Sequence, residues 1–263
     1  MSGKRVLFLG DIVGEPGRSA VTNTLPSLIE RHEPDLVIAN GENVAGGLGI
    51  TPRTADKLFA AGIDVLTTGN HVYRHRDAYE LLDKSDRIVR PANYLDTNPG
   101  RGHTVVERNG VRWGVVNLSG NVFMQAAHSP FHVVNRVLAQ LADEADYVFV
   151  DFHAEATSEK VAMGWHLDGR ALAVVGTHTH VPTADGRVLP GGTAFISDVG
   201  MTGARGGVIG VKKEQILERF MTQMPVKFDT ATDDVWVMAV LVETADNGVA
   251  KSFEQILVPA EAG

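Results

Sequence analysis

The most constraining feature of this chain is an alternation. Short runs of β-branched and other apolar residues each end in a Gly-containing turn bearing Asp, Glu, Asn or His, and a longer amphipathic stretch follows. Val6 to Leu9 runs into Gly10-Asp11, Leu36 to Ala39 into Asn40-Gly41-Glu42-Asn43, and Val65 to Thr68 into Gly69-Asn70-His71. Runs of this length and composition read as buried strands. Between them, Gly17 to Arg31 places Val21, Leu25, Leu28 and Ile29 at helical spacing. Thr51 to Ala61 opens on Thr-Pro and aligns Ala55, Leu58 and Phe59, and Arg76 to Leu82 is a shorter helix. Strand, helix, strand in this order builds parallel pairs, whose carboxyl ends are where open α/β sheets bind ligands.

The later part is joined differently. Thr104 to Leu118 is split by Asn109-Gly110, and Arg187 to Ile196 by Pro190-Gly191-Gly192. Val235 to Glu243 is separated from Val249 to Val258 by Asn247-Gly248. Each break is a hairpin signal. Phe131 to Ala142 reads as a helix. The strands Tyr147 to Phe152 and Ala171 to Val175 lead into His153 and into Gly176-Thr177-His178-Thr179-His180. The expected fold class is therefore α/β, with mixed β-sheets flanked by helices, in one domain spanning 1–263. Gly200 to Gly210 lacks the lysine of a phosphate loop and reads as a flexible rim loop.

Composition closes off several functions. The 263 residues hold 24 Lys+Arg against 32 Asp+Glu, a net charge of -8. No bulk nucleic-acid binding is expected from that balance, although a small anionic substrate remains compatible. The absence of cysteine excludes disulfides, zinc–thiolate sites and thiol nucleophiles. The longest apolar run, Val235 to Val242, is far below the roughly 20 residues of a membrane helix. No membrane association is expected, and the N-terminal run is too short for a signal peptide, so the expected location is cytoplasmic. Gly10-Asp11-Ile12-Val13-Gly14-Glu15 does not fit the dinucleotide-binding fingerprint.

Taken singly, the strand-end residues suit ordinary turns, where Gly and Asp are common. Taken together, separate strand ends deliver two carboxylates (Asp11, Glu42), two amides (Asn43, Asn70) and three imidazoles (His153, His178, His180) to one rim. His178 and His180 sit at i and i+2, which share one side of an extended segment. The set is too large for one tetrahedral ion and suits two adjacent metals sharing a carboxylate. Imidazole ligands favour iron, manganese or another divalent first-row metal over magnesium. Two divalent ions facing two carboxylates keep a positive balance that attracts a phosphodiester monoanion.

In this order and spacing, Gly10-Asp11, Gly41-Glu42-Asn43, Gly69-Asn70-His71 and Gly176-Thr177-His178-Thr179-His180 resemble the calcineurin-like metallophosphoesterases, and most closely their YmdB-like branch. Val13 stands where the wider superfamily's Asp-x-His motif places a ligand, and Glu42-Asn43 replaces its Gly-Asp bridging motif. The resemblance implies a metallophosphoesterase-like sandwich and a phosphodiesterase of the 2′,3′-cyclic-nucleotide 2′-phosphodiesterase type, with 3′,5′-cyclic nucleotides as second substrates. It implies two divalent or mixed-valence transition-metal ions. Asp11, Asn43 and His180 would hold one, Asn70, His153 and His178 the other, with Glu42 bridging and His71 as proton donor. Two alternatives stay open: a phosphomonoesterase on the same metal core, and a metal-dependent nucleotide-sensing regulator. Arg74, His75 and Arg76 are either phosphate contacts or a solvated helix start, and Asp198 either supports the site or ends a strand. The C-terminal strands, rich in Val and Met, either finish the sheet or make a homo-oligomer interface.

Overall fold

In the computed structural model the described residues are 3–245 and 248–262. In chain order they form β1 (Arg5–Leu9), β2 (Asp11–Ile12), α1 (Gly14–His32), β3 (Leu36–Asn40), α2 (Pro52–Ala60), β4 (Val65–Thr67), α3 (Asp77–Lys84) and β5 (Ile88–Val89). Then come β6 (His103–Arg108), β7 (Val111–Ser119), α4 (Pro130–Leu141), β8 (Tyr147–His153), α5 (Thr157–Leu167) and β9 (Ala173–Thr177). The remainder comprises β10 (Arg187–Val188), β11 (Ala194–Ile196), β12 (Met201–Ala204), α6 (Lys213–Thr222), β13 (Val235–Thr244) and β14 (Ala250–Pro259).

Two mixed sheets result. One runs β2-β12-β13-β1-β3-β4-β5, with β14 also on β13, and the other β10-β11-β9-β8-β7-β6. The helix-connected strands β1, β3, β4 and β5 pair in parallel, as the early alternation requires. The hairpins β6–β7, β10–β11 and β13–β14 pair antiparallel. The third of these confirms the pairing expected across the break at Gly248, although Asn247 lies outside the described residues. β13 also pairs with β1 and β12, so it is an interior strand of the sheet.

Strand alternation explains how the layers stack. Val6 and Phe8 point between the sheets, where they join Ile38, Trp113, Phe149 and Ile196. Phe8 and Phe149 stack across that interface with ring centroids 5.3 Å apart. Leu7 and Leu9 point the other way and pack with Val21, Leu25 and Leu58. On the outer face of the second sheet, Leu118, Phe152 and Val174 pack with Val134 and Met163. The order is helices, sheet, sheet, helices. Strands buried on both faces read as continuous apolar runs, which is why β1, β3 and β8 are legible in the sequence.

Two expectations change. Gly200 to Gly210 is not a free loop throughout, because Met201–Ala204 is a fully buried strand pairing with β2 and β13. The turn just before it packs tightly on other backbone: a Cβ on Gly10 would fall 2.0 Å from Gly200 O. The sequence analysis did not single out α5, which buries Glu159 and Lys160. His178 and His180 do not lie on an extended segment. Both have positive φ, 97° and 65°, just beyond the end of β9.

Candidate metal centre

The turns after β1, β3, β4, β8 and β9 meet at one edge of the sandwich. Asp11, Glu42, Asn43 and His153 are buried, with Asp11 and His153 at 0% exposure. Gly69 permits this convergence, since a Cβ there would lie 2.3 Å from His153 Cδ2 and 2.4 Å from Glu42 Oε2.

The hydrogen-bond network fixes which atoms face inward. The Thr177 hydroxyl donates to Asp151 Oδ1 at 2.7 Å, so at His153 Nδ1, 2.9 Å away, it accepts. Nδ1 therefore carries a hydrogen and Nε2 presents its lone pair to the centre. His153 Nε2 then lies 2.9 Å from Asn70 Oδ1, 3.0 Å from His178 Nδ1 and 3.2 Å from Glu42 Oε1. His178 Nε2 is 3.0 Å from Glu155 Oε2, which takes the hydrogen of that nitrogen and leaves Nδ1 as an acceptor. Four acceptor atoms thus face one point, and only a proton or a cation reconciles them.

A neighbouring set repeats the pattern. Asp11 Oδ1 is buried without a hydrogen-bond partner and sits 3.8 Å from His180 Nε2. His180 Nδ1 meets the carbonyl of Ile209 at 3.0 Å, so its hydrogen lies there and Nε2 faces inward. Asn43 Nδ2 is 3.3 Å from His180 Nε2. Asp11 Oδ2 accepts the backbone N–H of His178 at 3.0 Å, which ties the two sets together.

The titration behaviour agrees. Burial raises the Asp11 carboxyl above its usual range, with His180 and His153 opposing. Burial also works against ionised Glu42, but His153 and His71 outweigh it and hold the carboxyl well below its usual range. Burial likewise disfavours a charged His153, yet Glu42 and Asp11 push it up to about 9. Burial and the adjacent His153 push His178 down to about 3. The cluster thus draws in one positive charge, and a metal ion competes with that proton for the same lone pairs. Nitrogen and oxygen donors, a donorless buried carboxylate oxygen and facing acceptor atoms fit a transition-metal site.

Asp11, Glu42, Asn43, Asn70, His71, His153, His178 and His180 all come together at this site. His71 completes it: its Nδ1 lies 2.8 Å from Asn43 Oδ1 and 3.1 Å from Glu42 Oε1, and its N–H donates to Glu42 Oε2 at 3.0 Å. Some supporting residues are not singled out by the sequence. Thr177 and Asp151 orient His153, and Glu155 orients His178. Thr177 and Glu155 sit inside or two residues beyond the motifs described above, and that proximity is the available signal. Asp198 contacts the turn between the two histidines. Its Oδ2 accepts from Thr179 N at 3.1 Å and from Lys160 Nζ at 2.8 Å, pinning the turn between the two histidines. Of the basic trio, His75 Nε2 contacts the Leu48 carbonyl at 2.9 Å.

Two mixed sheets face to face, helices outside, and a carboxylate–amide–imidazole cluster at the strand ends define a metallophosphoesterase-like α/β sandwich. Within that class the chain belongs to the YmdB-like family, whose model matches residues 7–256. It is 44% identical over 255 residues, 97% of each chain, to the 2′,3′-cyclic-nucleotide 2′-phosphodiesterase of Bacillus subtilis (strain 168). A solved hypothetical protein from Thermus thermophilus superposes with a TM-score of 0.92 at 42% identity, covering 98% of this chain and 100% of that one. A Mycoplasma pneumoniae structure described as a novel phosphatase also gives 0.92, at 33% identity, covering 98% and 95%. No helix among the described residues is long and apolar enough to cross a membrane.

Proposed function

We propose that this protein is a metal-dependent phosphodiesterase acting on cyclic nucleotides, with nucleoside 2′,3′-cyclic phosphates first and 3′,5′-cyclic nucleotides second. The observation that carries the reading is the convergence of acceptor atoms from Glu42, Asn70, His153 and His178 on one point, with Asp11 and His180 alongside. Asp11, Asn43 and His180 would hold one ion and Asn70, His153 and His178 the other, with Glu42 between them. Iron or manganese suits this donor set. When bound, such ions supply an acidified water near neutral pH and offset charge on the phosphoryl oxygens. The similarity to the Bacillus subtilis phosphodiesterase supports the substrate class.

The protein's own groups do the rest. His71 is held through Nδ1 by Asn43 and Glu42, which leaves Nε2 as the nitrogen able to give a proton to the departing ribose oxygen. It lines a cavity of about 470 Å³ that opens on Glu42, Asn43 and His180. Residues 1–263 act as one domain in this reading, because the core between the sheets draws on both halves of the chain.

The test is turnover by protein reconstituted with iron or manganese on 2′,3′-cyclic, 3′,5′-cyclic and monoester substrates. Hydrolysis of the cyclic esters ahead of the monoester is expected. Preferred monoester hydrolysis indicates the phosphatase instead, and tight nucleotide binding without turnover indicates a sensor. His71→Gln is expected to keep its metal and lose ~10²–10⁴-fold in kcat, the usual scale of general-acid help. Full turnover by a folded His71→Gln protein removes His71 from the chemistry.

A further inference from the structure

The metal centre borders a second cavity that the chemistry above does not use. It encloses about 540 Å³ and opens on Asn70 and His178. Tyr94, Leu95 and Phe123 form its apolar walls, and the amides of Asn98 and Gln125 lie among them. Phe123 is 90% exposed, the most open of the large apolar side chains among the described residues, and its backbone has φ 61°. A bulky L-residue gains nothing from either condition.

The loop that carries Phe123 is nonetheless tied down. The N–H groups of Asn121 and Val122 donate to the Glu159 carboxylate of α5 at 2.9 and 3.3 Å, and Glu159 is itself buried. Gly120 N donates to the carbonyl of His153 at 2.9 Å, which fastens the loop to a residue of the metal centre. The backbone beneath an exposed aromatic ring is thus fixed beside a site that would bind phosphate.

We propose that this cavity is the nucleobase subsite, with the base stacked on Phe123 and its edge met by Asn98 and Gln125. The proposal rests on the phosphodiesterase reading and names the part of the substrate that this cavity takes. Every base has a face that stacks on an aromatic ring, and side-chain amides both donate to and accept from base edges. The 470 Å³ cavity is the poorer match. Glu155 and Asp229 place carboxylates on it, and its one amide, Asn43, is among the proposed metal ligands.

The test compares Phe123→Ala with wild type on adenosine 2′,3′-cyclic phosphate and on 1-O-methylribose 2′,3′-cyclic phosphate, which has no base. The ratio of kcat/KM for the first ester over the second is expected to fall about tenfold, mainly through KM. An unchanged ratio overturns the subsite while leaving the phosphodiesterase reading intact, and so does a fall seen with Phe228→Ala but not with Phe123→Ala. Adenosine alone provides a readout that needs no hydrolysis. Its titration is expected to shift the NMR ring signals of Phe123 and Tyr94 saturably. If wild type turns over neither ester, the phosphodiesterase reading fails, and the adenosine titration still decides the subsite: shifts at Phe123 support it, and shifts at Phe228, or none, overturn it.

Discussion

At the scale of single residues, function depends on which atom of each side chain faces inward. His153 shows this most clearly, because its tautomer is set by Thr177, whose hydroxyl is committed to Asp151. Removing the hydroxyl while keeping the shape frees the ring to present the wrong nitrogen. Thr177→Val is therefore expected to weaken metal affinity about 10–100-fold, the usual effect of losing such a supporting bond. Metal titration followed by elemental analysis checks this, and wild-type affinity refutes it. Away from the site, Asp35 controls a surface contact. Burial would raise its carboxyl, but the Arg5 N–H, Asn109 and Lys4 outweigh that and lower it below its ordinary value of 3.8. A carboxyl lowered on folding contributes stability that is present above the unfolded value and disappears as pH falls through the folded one. The gap in urea midpoint between wild type and Asp35→Asn is thus expected to be open at neutral pH and to close in acid below 3.8. A gap independent of pH would contradict the assignment.

At the scale of elements, most of what positions the site is visible in the chain. β1, β3, β4, β8 and β9 follow from apolar runs, and α2 from Thr51, which caps it through Thr54 N. β12 and α5 are not visible there; β12 pairs with β2, which carries Asp11, and α5 reaches the histidine turn through Lys160. β12 is four residues long, Met-Thr-Gly-Ala, too short to show a strand pattern. α5 buries charge, which contradicts the usual expectation for Lys and Glu. Lys160 reaches from α5 to Asp198, and Asp198 holds Thr179 between His178 and His180. Lys160→Ala would strand a buried carboxylate, a loss that typically costs about 3–5 kcal/mol. Urea unfolding is expected to show that loss together with reduced metal content. An intact urea midpoint would mean that the pair does not brace the turn. The turn itself departs from the spacing rule: the histidines converge through left-handed backbone at both positions and not through the shared side of a strand.

At the scale of the whole molecule, the two sheets share a core, and the site lies where turns from both meet. Metal binding and folding are therefore linked. Any ion that occupies the folded centre adds stability, about 2.7 kcal/mol when its free concentration is a hundred times Kd. Chelation is expected to lower Tm and manganese or iron to restore it, measured by calorimetry; a Tm indifferent to both would speak against a metal in the centre. The sequence by itself determined the strand and helix alternation, the residue types at the strand ends and the metal chemistry they permit. Those follow from local rules of spacing, burial and donor type. Only the tertiary structure decided that Thr177 and Glu155 bond the ring nitrogens of His153 and His178, that Asp198 and Lys160 hold the turn between the histidines, and that Phe123 stands beside them. These are relations between groups far apart in the chain, and packing alone brings them within hydrogen-bond reach.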